Sequence, residues 1–93
     1  MAVFAVSTKY PENDEPLGAR ILQAFPDDFF HIGRGQWLIA FKGTAKQLHV
    51  HLFPQKEFPL PKSDVTVFGI GGYWGHASRD MWEWLASKLE ENA

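Results

Sequence analysis

The sequence predicts a single α+β domain over residues 1–93, in which a small β-sheet is covered on one face by helices. Its 93 residues suffice for one domain near the lower end of the usual size range. Short β-branched and aromatic runs alternate along the chain with segments of helical spacing. Eight Phe, four Trp and two Tyr let so thin a domain build its core from few positions, because each large ring buries about 150–250 Å².

The first two predicted elements are a strand and a helix. Residues 3–7 form a β-branched and aromatic run that predicts a strand. Asp14 is placed to cap the helix that follows, with Pro16 tolerated in its first turn. Apolar residues then recur at the spacing of one helix face, at Leu17, Ile21, Leu22 and Phe25. Pro26 ends this helix.

Two strand-like runs come next, over residues 29–32 and Gln36–Phe41. The insert Gly33-Arg34-Gly35 between them predicts a tight turn, because glycine supplies the positive φ that short hairpins require.

Residues 44–53 carry two conflicting patterns. Thr44 followed by Gln47 is typical of a capping box and predicts a helix that stops at Pro54. Apolar residues also alternate with His49 and His51, which is strand periodicity. The capping box is the more specific signal, so a helix is favoured and a strand stays the alternative.

The last part of the chain predicts a loop, a strand and a helix. Residues 54–63 contain three prolines and are expected to form a loop. Residues 64–70 form a strand-like run, and Ser78 is placed to cap the final helix, with Asp80 in its first turn. The apolar stripe of that helix comprises Met81, Trp82, Leu85 and Leu89.

The predicted order is strand, helix, hairpin-like strand pair, helix, strand, helix. This alternation predicts a ferredoxin-like α+β sandwich. Within this order the chain has an aromatic-His pair followed by Trp-Leu-Ile, a capped helix, and an aromatic motif before a Trp-rich helix. These are Phe30-His31, Trp37-Leu38-Ile39, Thr44, Tyr73-Trp74-Gly75 and Trp82-Glu83-Trp84-Leu85. Together they resemble the SinR-like family, small bacterial proteins related to a CRISPR-associated adaptation nuclease. The resemblance implies a ferredoxin-like domain that pairs into a homodimer.

In the nuclease branch, the resemblance implies an aspartate at the end of the first strand that binds a divalent metal. Here that strand ends in Ser7-Thr8-Lys9, and no acid follows before Glu12. A hydroxyl does not replace a carboxylate as the charged ligand of a hard cation. Catalysis by that route is therefore not expected, and no catalytic residue, metal or cofactor is assigned.

The most function-like motif is the glycine-rich aromatic loop over residues 71–76. A G-x-G-x-x-G motif that begins at Gly69 would place Trp74 at its sixth position, where a glycine is needed for close backbone approach. Too few residues follow for a βαβ unit, so a dinucleotide-binding loop is excluded. Two interpretations remain: an anion and a flat group bound at the helix N-terminus, or a dimer seam. The candidate binding residues are Gly71, Gly72, Tyr73, Trp74, His76 and Arg79.

Two other groups contain residue types that can bind a metal or take part in catalysis. His49 and His51 form a histidine pair, but on a helix their rings lie roughly 200° apart, and the third position of a histidine triad is Phe53. Surface histidines are therefore the favoured interpretation. The carboxylates of Asp27 and Asp28 are possible metal ligands, although roles in a helix cap or a turn explain these residues more simply.

Composition limits the functional class. The net charge of −2 argues against broad electrostatic capture of nucleic acid. The chain has no cysteine, which suits a reducing compartment, and its apolar start is too short to span a membrane, so a cytoplasmic location is expected.

The sequence thus favours a non-catalytic interaction module, homodimeric, with a nucleic acid or nucleotide as a further candidate partner. A degenerate metal-dependent nuclease and a small-ligand or nucleotide sensor are the alternatives.

Overall fold

The computed structural model describes residues 2–54, 59–72, 76 and 78–90. Its elements, in chain order, are β1 (Ala2–Ser7), a short 3-10 turn (Pro11–Asn13), α1 (Asp14–Ala24), β2 (Phe29–Gly33), β3 (Gln36–Phe41), α2 (Ala45–Leu52), β4 (Thr66–Ile70) and α3 (Arg79–Glu90). The predicted α+β class is confirmed, and each predicted strand and helix has a counterpart within a few residues.

The four strands form one antiparallel sheet in the order β2-β3-β1-β4. The central strand β1 pairs with β3, where Phe4 faces Ile39, and with β4, where Ala5 faces Phe68. Successive side chains of a strand point to opposite faces. The register therefore determines which residues meet on each face of the sheet.

The main core lies on one face of the sheet, beneath α1 and α2. Alternate residues of β1 and β3 meet the apolar stripes of the two helices there. The buried members are Phe4, Val6, Leu17, Ile21, Phe25, Trp37, Ile39, Leu48, Leu52, Phe53 and Leu60. Both helices are amphipathic, so their polar sides face solvent.

Helix α3 packs on the opposite face. Leu85 is buried there against Val3 and Leu38, and the Trp84 ring lies 6.1 Å from that of Phe30. The expectation that helices cover only one face is therefore wrong, and the sheet is sandwiched between two helical layers. The sequence does carry the signal, since the runs AVFAV in β1 and WLIAF in β3 are almost continuously apolar, as expected for strands buried on both faces.

The start of α1 also differs from expectation. Asp14 is the first residue of the helix rather than its cap, and the capping position is taken by Asn13, which makes no side-chain capping bond. The Asp14 carboxylate instead accepts a hydrogen bond from the Gly35 N–H at 2.6 Å. Asp14 thus joins the helix to the β2–β3 turn, while its charge still complements the helix N-terminus.

The capping box of α2 is confirmed. The Thr44 hydroxyl accepts from the Gln47 N–H at 3.1 Å, and the Gln47 side chain accepts from the Thr44 N–H at 2.8 Å. We expect Thr44→Ala to lower the free energy of unfolding by about 1 kcal/mol. The Gln47 N–H then loses its acceptor, and the Gln47 side chain is no longer held in place to accept from the backbone N–H of residue 44. Urea unfolding followed by circular dichroism measures the change. Thr44→Ser keeps the hydroxyl, and a loss equal to that of Thr44→Ala would contradict the capping account.

Gly18 of α1 lies against the indole of Trp37. A Cβ added at Gly18 would come within 2.7 Å of Trp37 Cζ2 and 2.8 Å of Cη2. The indole has little room to move away, because its other contacts include a His31 ring stacked at 3.7 Å. The close packing of α1 on β3 thus depends on the missing side chain.

We therefore expect Gly18→Ala to destabilise the protein by about 1–3 kcal/mol, as overpacking of a core does. In an ordinary helix interior the same change stabilises by about 1 kcal/mol, so the sign itself is the test. The exposed neighbour Ala19 serves as the control, since Ala19→Gly should cost about 1 kcal/mol. Thermal unfolding of both variants gives the comparison, and a Gly18→Ala variant more stable than wild type would refute the contact.

Candidate functional site

Among the residues that the structure describes, part of the sheet face that carries α3 is left uncovered. Helix α3 packs on β1 and β2 around Val3 and Leu38. At the other end of this face, Ser7 lies between Gln36 and Thr66 in the register, and Ala5 lies beside Phe68. Phe68 is 55% exposed and Ile32 is 43% exposed. Two large apolar side chains therefore flank an open region of the sheet.

This region forms a trough of about 280 Å³. Its lining residues are Ala5, Val6, Ser7, Ile32, Gln36, Trp37 and Phe68. Val6 and Trp37 are buried in the core of the opposite face, so they contribute backbone to the lining. The small residues Ala5 and Ser7 make the floor on the central strand, while Phe68 on β4 and Ile32 on β2 form the two walls.

The polarity of the trough is limited to one end. Ser7 and Gln36 face each other directly across the β1–β3 pairing, and neither side chain bonds to another residue in the part of the chain that the structure describes. None of the described lining residues is charged. The surface therefore suits a neutral group with apolar faces and a hydrogen-bonding edge.

A polar network closes the sheet at the end of β1. Asn13 is 0% exposed, and its side chain donates to the Thr8 hydroxyl at 3.0 Å and to the Lys62 carbonyl at 2.9 Å. Its amide oxygen accepts from the Lys62 N–H at 2.9 Å. This side chain thus pairs with the backbone of Lys62 as a neighbouring strand does, and it ties the loop before β4 to β1.

An acidic side chain does lie at the end of β1, but it comes from Asp64, a residue far along the chain that no local sequence pattern links to β1. The Asp64 carboxylate accepts from the Lys9 N–H at 2.7 Å and from the Thr8 hydroxyl at 3.4 Å. These bonds satisfy backbone and hydroxyl donors where the strand ends. Among the described residues, no three or more His, Cys, Asp or Glu side chains cluster in a way that would hold a metal ion.

The histidines of α2 face different neighbours. The His49 ring lies 5.3 Å from Phe53, and the His51 ring lies 5.1 Å from Phe25. His51 also borders a second cavity of about 170 Å³ between the ends of α1 and α2. There Arg20 Nε donates to the Leu52 carbonyl at 2.9 Å, so Arg20 ties the end of α2 to α1. The helix favoured over a strand for this segment is confirmed.

Asp27 and Asp28 have separate surroundings. The Asp28 carboxylate accepts from Lys88 Nζ at 2.9 Å, which joins the start of β2 to α3, whereas Asp27 is exposed. The ion pair of Asp28 favours a structural explanation over a ligand role.

The predicted loop site is covered only in part. Gly71, Gly72, His76 and Arg79 are exposed, whereas Tyr73 and Trp74 lie outside the described residues. Among the described residues, a Cβ at Gly71 or Gly72 would meet nothing within 4 Å. Arg79 pairs with Glu83 at 2.9 Å. The loop as a binding site or dimer seam stays a prediction.

The end of the loop does form the predicted cap. The Ser78 hydroxyl accepts from the Met81 N–H at 3.2 Å, so Ser78 caps α3 as expected.

Comparison with known proteins returned no match, whether to family models, to curated proteins or to solved structures. The SinR-like resemblance therefore stays a prediction. Within the described residues, no helix has the length and apolar character needed to cross a membrane.

Proposed function

We propose that this chain is a non-catalytic interaction module that forms a homodimer through the outer edge of β4, with which no described strand pairs. The observation that carries the proposal is the character of this edge. β4 is a terminal strand of the sheet, and its sequence TVFGI contains neither charge nor proline. An apolar edge strand without such protection is a template for pairing with another chain.

The other edge is less suited to pairing. β2 has an irregular register between His31 and Gly33, and an irregularity of this kind bends a strand and interrupts its hydrogen-bond ladder. The difference between the edges favours β4 as the contact.

The sequence of β4 is also compatible with a two-fold axis. If two β4 strands pair antiparallel about Phe68, each Phe68 side chain lies beside that of the second copy. Val67 then lies opposite Gly69 of the second copy, where there is no side chain to obstruct it. This pairing is isologous, as in most homodimers, and it removes the 55% exposed Phe68 partly from water.

The test uses sedimentation equilibrium on wild type and two matched variants. Phe68→Glu places like charges beside each other across the axis, and repulsion between directly opposed strand residues destabilises pairing. Leu22 on α1 is equally exposed, at 55%, and lies outside the edge, so Leu22→Glu is the control. We expect a dimer for wild type and Leu22→Glu, and a monomer for Phe68→Glu.

Circular dichroism checks that each variant is folded. A wild-type monomer at the highest soluble concentration would refute the homodimer. A folded Phe68→Glu variant that still dimerises would refute β4 as its interface.

We also propose that the chain is a ferredoxin-like relative of the SinR-like proteins. The succession β1-α1-β2-β3-α2-β4 and the antiparallel order β2-β3-β1-β4 support this kinship, with α3 as an addition on the second face. An experimental structure of a SinR-like protein tests it, since a different strand order there would separate the two.

A further inference from the structure

We infer that the trough between Phe68 and Ile32 is a binding site for one nucleobase, a neutral planar ring with an amide-type edge. This goes beyond the proposed dimer and does not depend on it. The base has two sources of the same chemistry, a free nucleoside or nucleotide and an unpaired base in a single strand.

The first argument is size. The trough holds about 280 Å³, just below the range of about 300–1,000 Å³ that is typical of pockets for drug-sized ligands. One ring system therefore fits, whereas a whole dinucleotide cofactor does not. The trough is open to solvent on its upper side, so the rest of a larger ligand can remain outside.

The second argument is shape. The floor is low because Ala5 and Ser7, the two β1 side chains on this part of the face, are small, and the walls are high because Phe68 and Ile32 are large. A thin planar group fills such a space better than a branched aliphatic one. The exposed Phe68 ring supplies a stacking surface, and base–aromatic stacking contributes about 1–3 kcal/mol per base.

The third argument is polarity. Gln36 offers both an amide donor and an amide acceptor, and the Ser7 hydroxyl opposite offers both as well. The Watson–Crick edges of the bases present mixed donors and acceptors of this kind. An acyl chain would leave these groups without partners, and a phosphate would find no cation among the described lining residues.

Cations do lie just beyond the trough. Lys9 follows the floor residue Ser7 by two positions, and Arg34 follows the wall residue Ile32 by two, in the β2–β3 turn. Both are exposed. They lie at the same end of the sheet as Ser7 and Gln36, the polar end of the trough. A sugar phosphate attached to a bound base would leave the trough there.

The experiment is a titration of the ¹⁵N-labelled full chain followed by amide chemical shifts. The probes are the four ribonucleosides, the corresponding 5′-monophosphates, and octamers of single-stranded RNA of one base each. We expect shifts confined to Ala5, Ser7, Phe68 and the Gln36 side-chain amide for at least one base. Tighter binding of monophosphates indicates a nucleotide, and tighter binding of octamers indicates a single strand.

Two variant pairs test the assigned contacts. Gln36→Leu removes the amide edge, and we expect a roughly 5-fold weaker affinity, the loss that corresponds to one hydrogen bond. The matched control is Gln23→Leu on α1, which should bind as wild type does. Phe68→Leu should weaken binding and Phe68→Tyr should retain it, because only the latter keeps a stacking ring.

Two results would overturn the inference. One is that no probe changes the amide chemical shifts of the trough residues at concentrations that would detect a Kd of about 10 mM. The other is a folded Gln36→Leu variant that binds as tightly as wild type. Sedimentation of the same samples separates the two proposals. A monomer that still binds a base refutes only the dimer, and a dimer without trough shifts refutes only the base site.

Discussion

Asn13→Ala is expected to lower the free energy of unfolding by about 3 kcal/mol or more, the largest loss that we expect from a single truncation here. Three hydrogen bonds of 2.9–3.0 Å end on this side chain, which has no exposure to solvent. Truncation leaves the Lys62 N–H without a partner among the described residues. It also removes one bond each from the Lys62 carbonyl, which still accepts from the Asp64 N–H at 3.0 Å, and from the Thr8 hydroxyl. A donor left unsatisfied costs about 1–3 kcal/mol and each further lost hydrogen bond about 0.5–1.5 kcal/mol, and water entering the site offsets only part of the sum.

Urea unfolding at constant pH measures this loss. Thr8→Val is the graded companion, because it removes the hydroxyl that accepts from Asn13 but leaves the two bonds from Asn13 to Lys62. It also removes two longer bonds of that hydroxyl, of 3.4 Å each, to Asp64 and from the Tyr10 N–H. We expect about 1–2 kcal/mol for it. If Asn13→Ala fails to fold, Thr8→Val still tests the network. A loss below about 1 kcal/mol for Asn13→Ala would show that its bonds contribute little net stability.

Gly35→Ala is the second large effect, with an expected loss of about 2–4 kcal/mol. Gly35 has φ +76°, and a Cβ there would lie 2.5 Å from the backbone oxygen of Thr8. The positive φ alone costs about 1–2 kcal/mol for a residue with a side chain. The clash adds to it, because the obstructing atom is backbone. Any shift also disturbs the bonds from Thr8 N–H to the Gly35 carbonyl and from Gly35 N–H to Asp14.

The same turn provides its own control. A Cβ at Gly33 would meet no described residue within 4 Å, and Gly33 has no positive φ. We expect Gly33→Ala to change the free energy of unfolding by no more than about 1 kcal/mol. Thermal melts of both variants, recorded side by side, are sufficient. Equal losses at the two positions would contradict the assignment of the strain to Gly35.

Local chemistry was sufficient to predict much of the fold. The reciprocal bonds between Thr44 and Gln47 are specified by residues three apart, and the turn at Gly35 by a glycine between two apolar runs. Such signals act within a few residues, so they survive whatever the rest of the chain does. The same reasoning predicts the cap wrongly at Asp14, because the partner that Asp14 binds, the Gly35 N–H, lies in the β2–β3 turn, 21 residues along the chain.

The trough was not predictable in this way. Ser7, Gln36 and Phe68 meet only because of the registers of two strand pairings, and a slip of one residue would move each strand's side chains to the other face. The role of Asn13 has no local signal for a similar reason, since its partner Lys62 follows 49 residues later. Both features depend on long-range pairing, which a single sequence does not encode in any local pattern.

The central position of β1 has a consequence for how the chain reaches this structure. Phe4 pairs with Ile39 and Ala5 with Phe68, so β1 precedes both of its neighbours by long stretches of chain. During synthesis it emerges before either partner exists, and it is apolar on both faces. Non-local pairing of this kind is slow, and a β-prone segment exposed meanwhile is a hazard for aggregation. We expect the yield of folded protein to depend on what shields this segment before β3 and β4 are made.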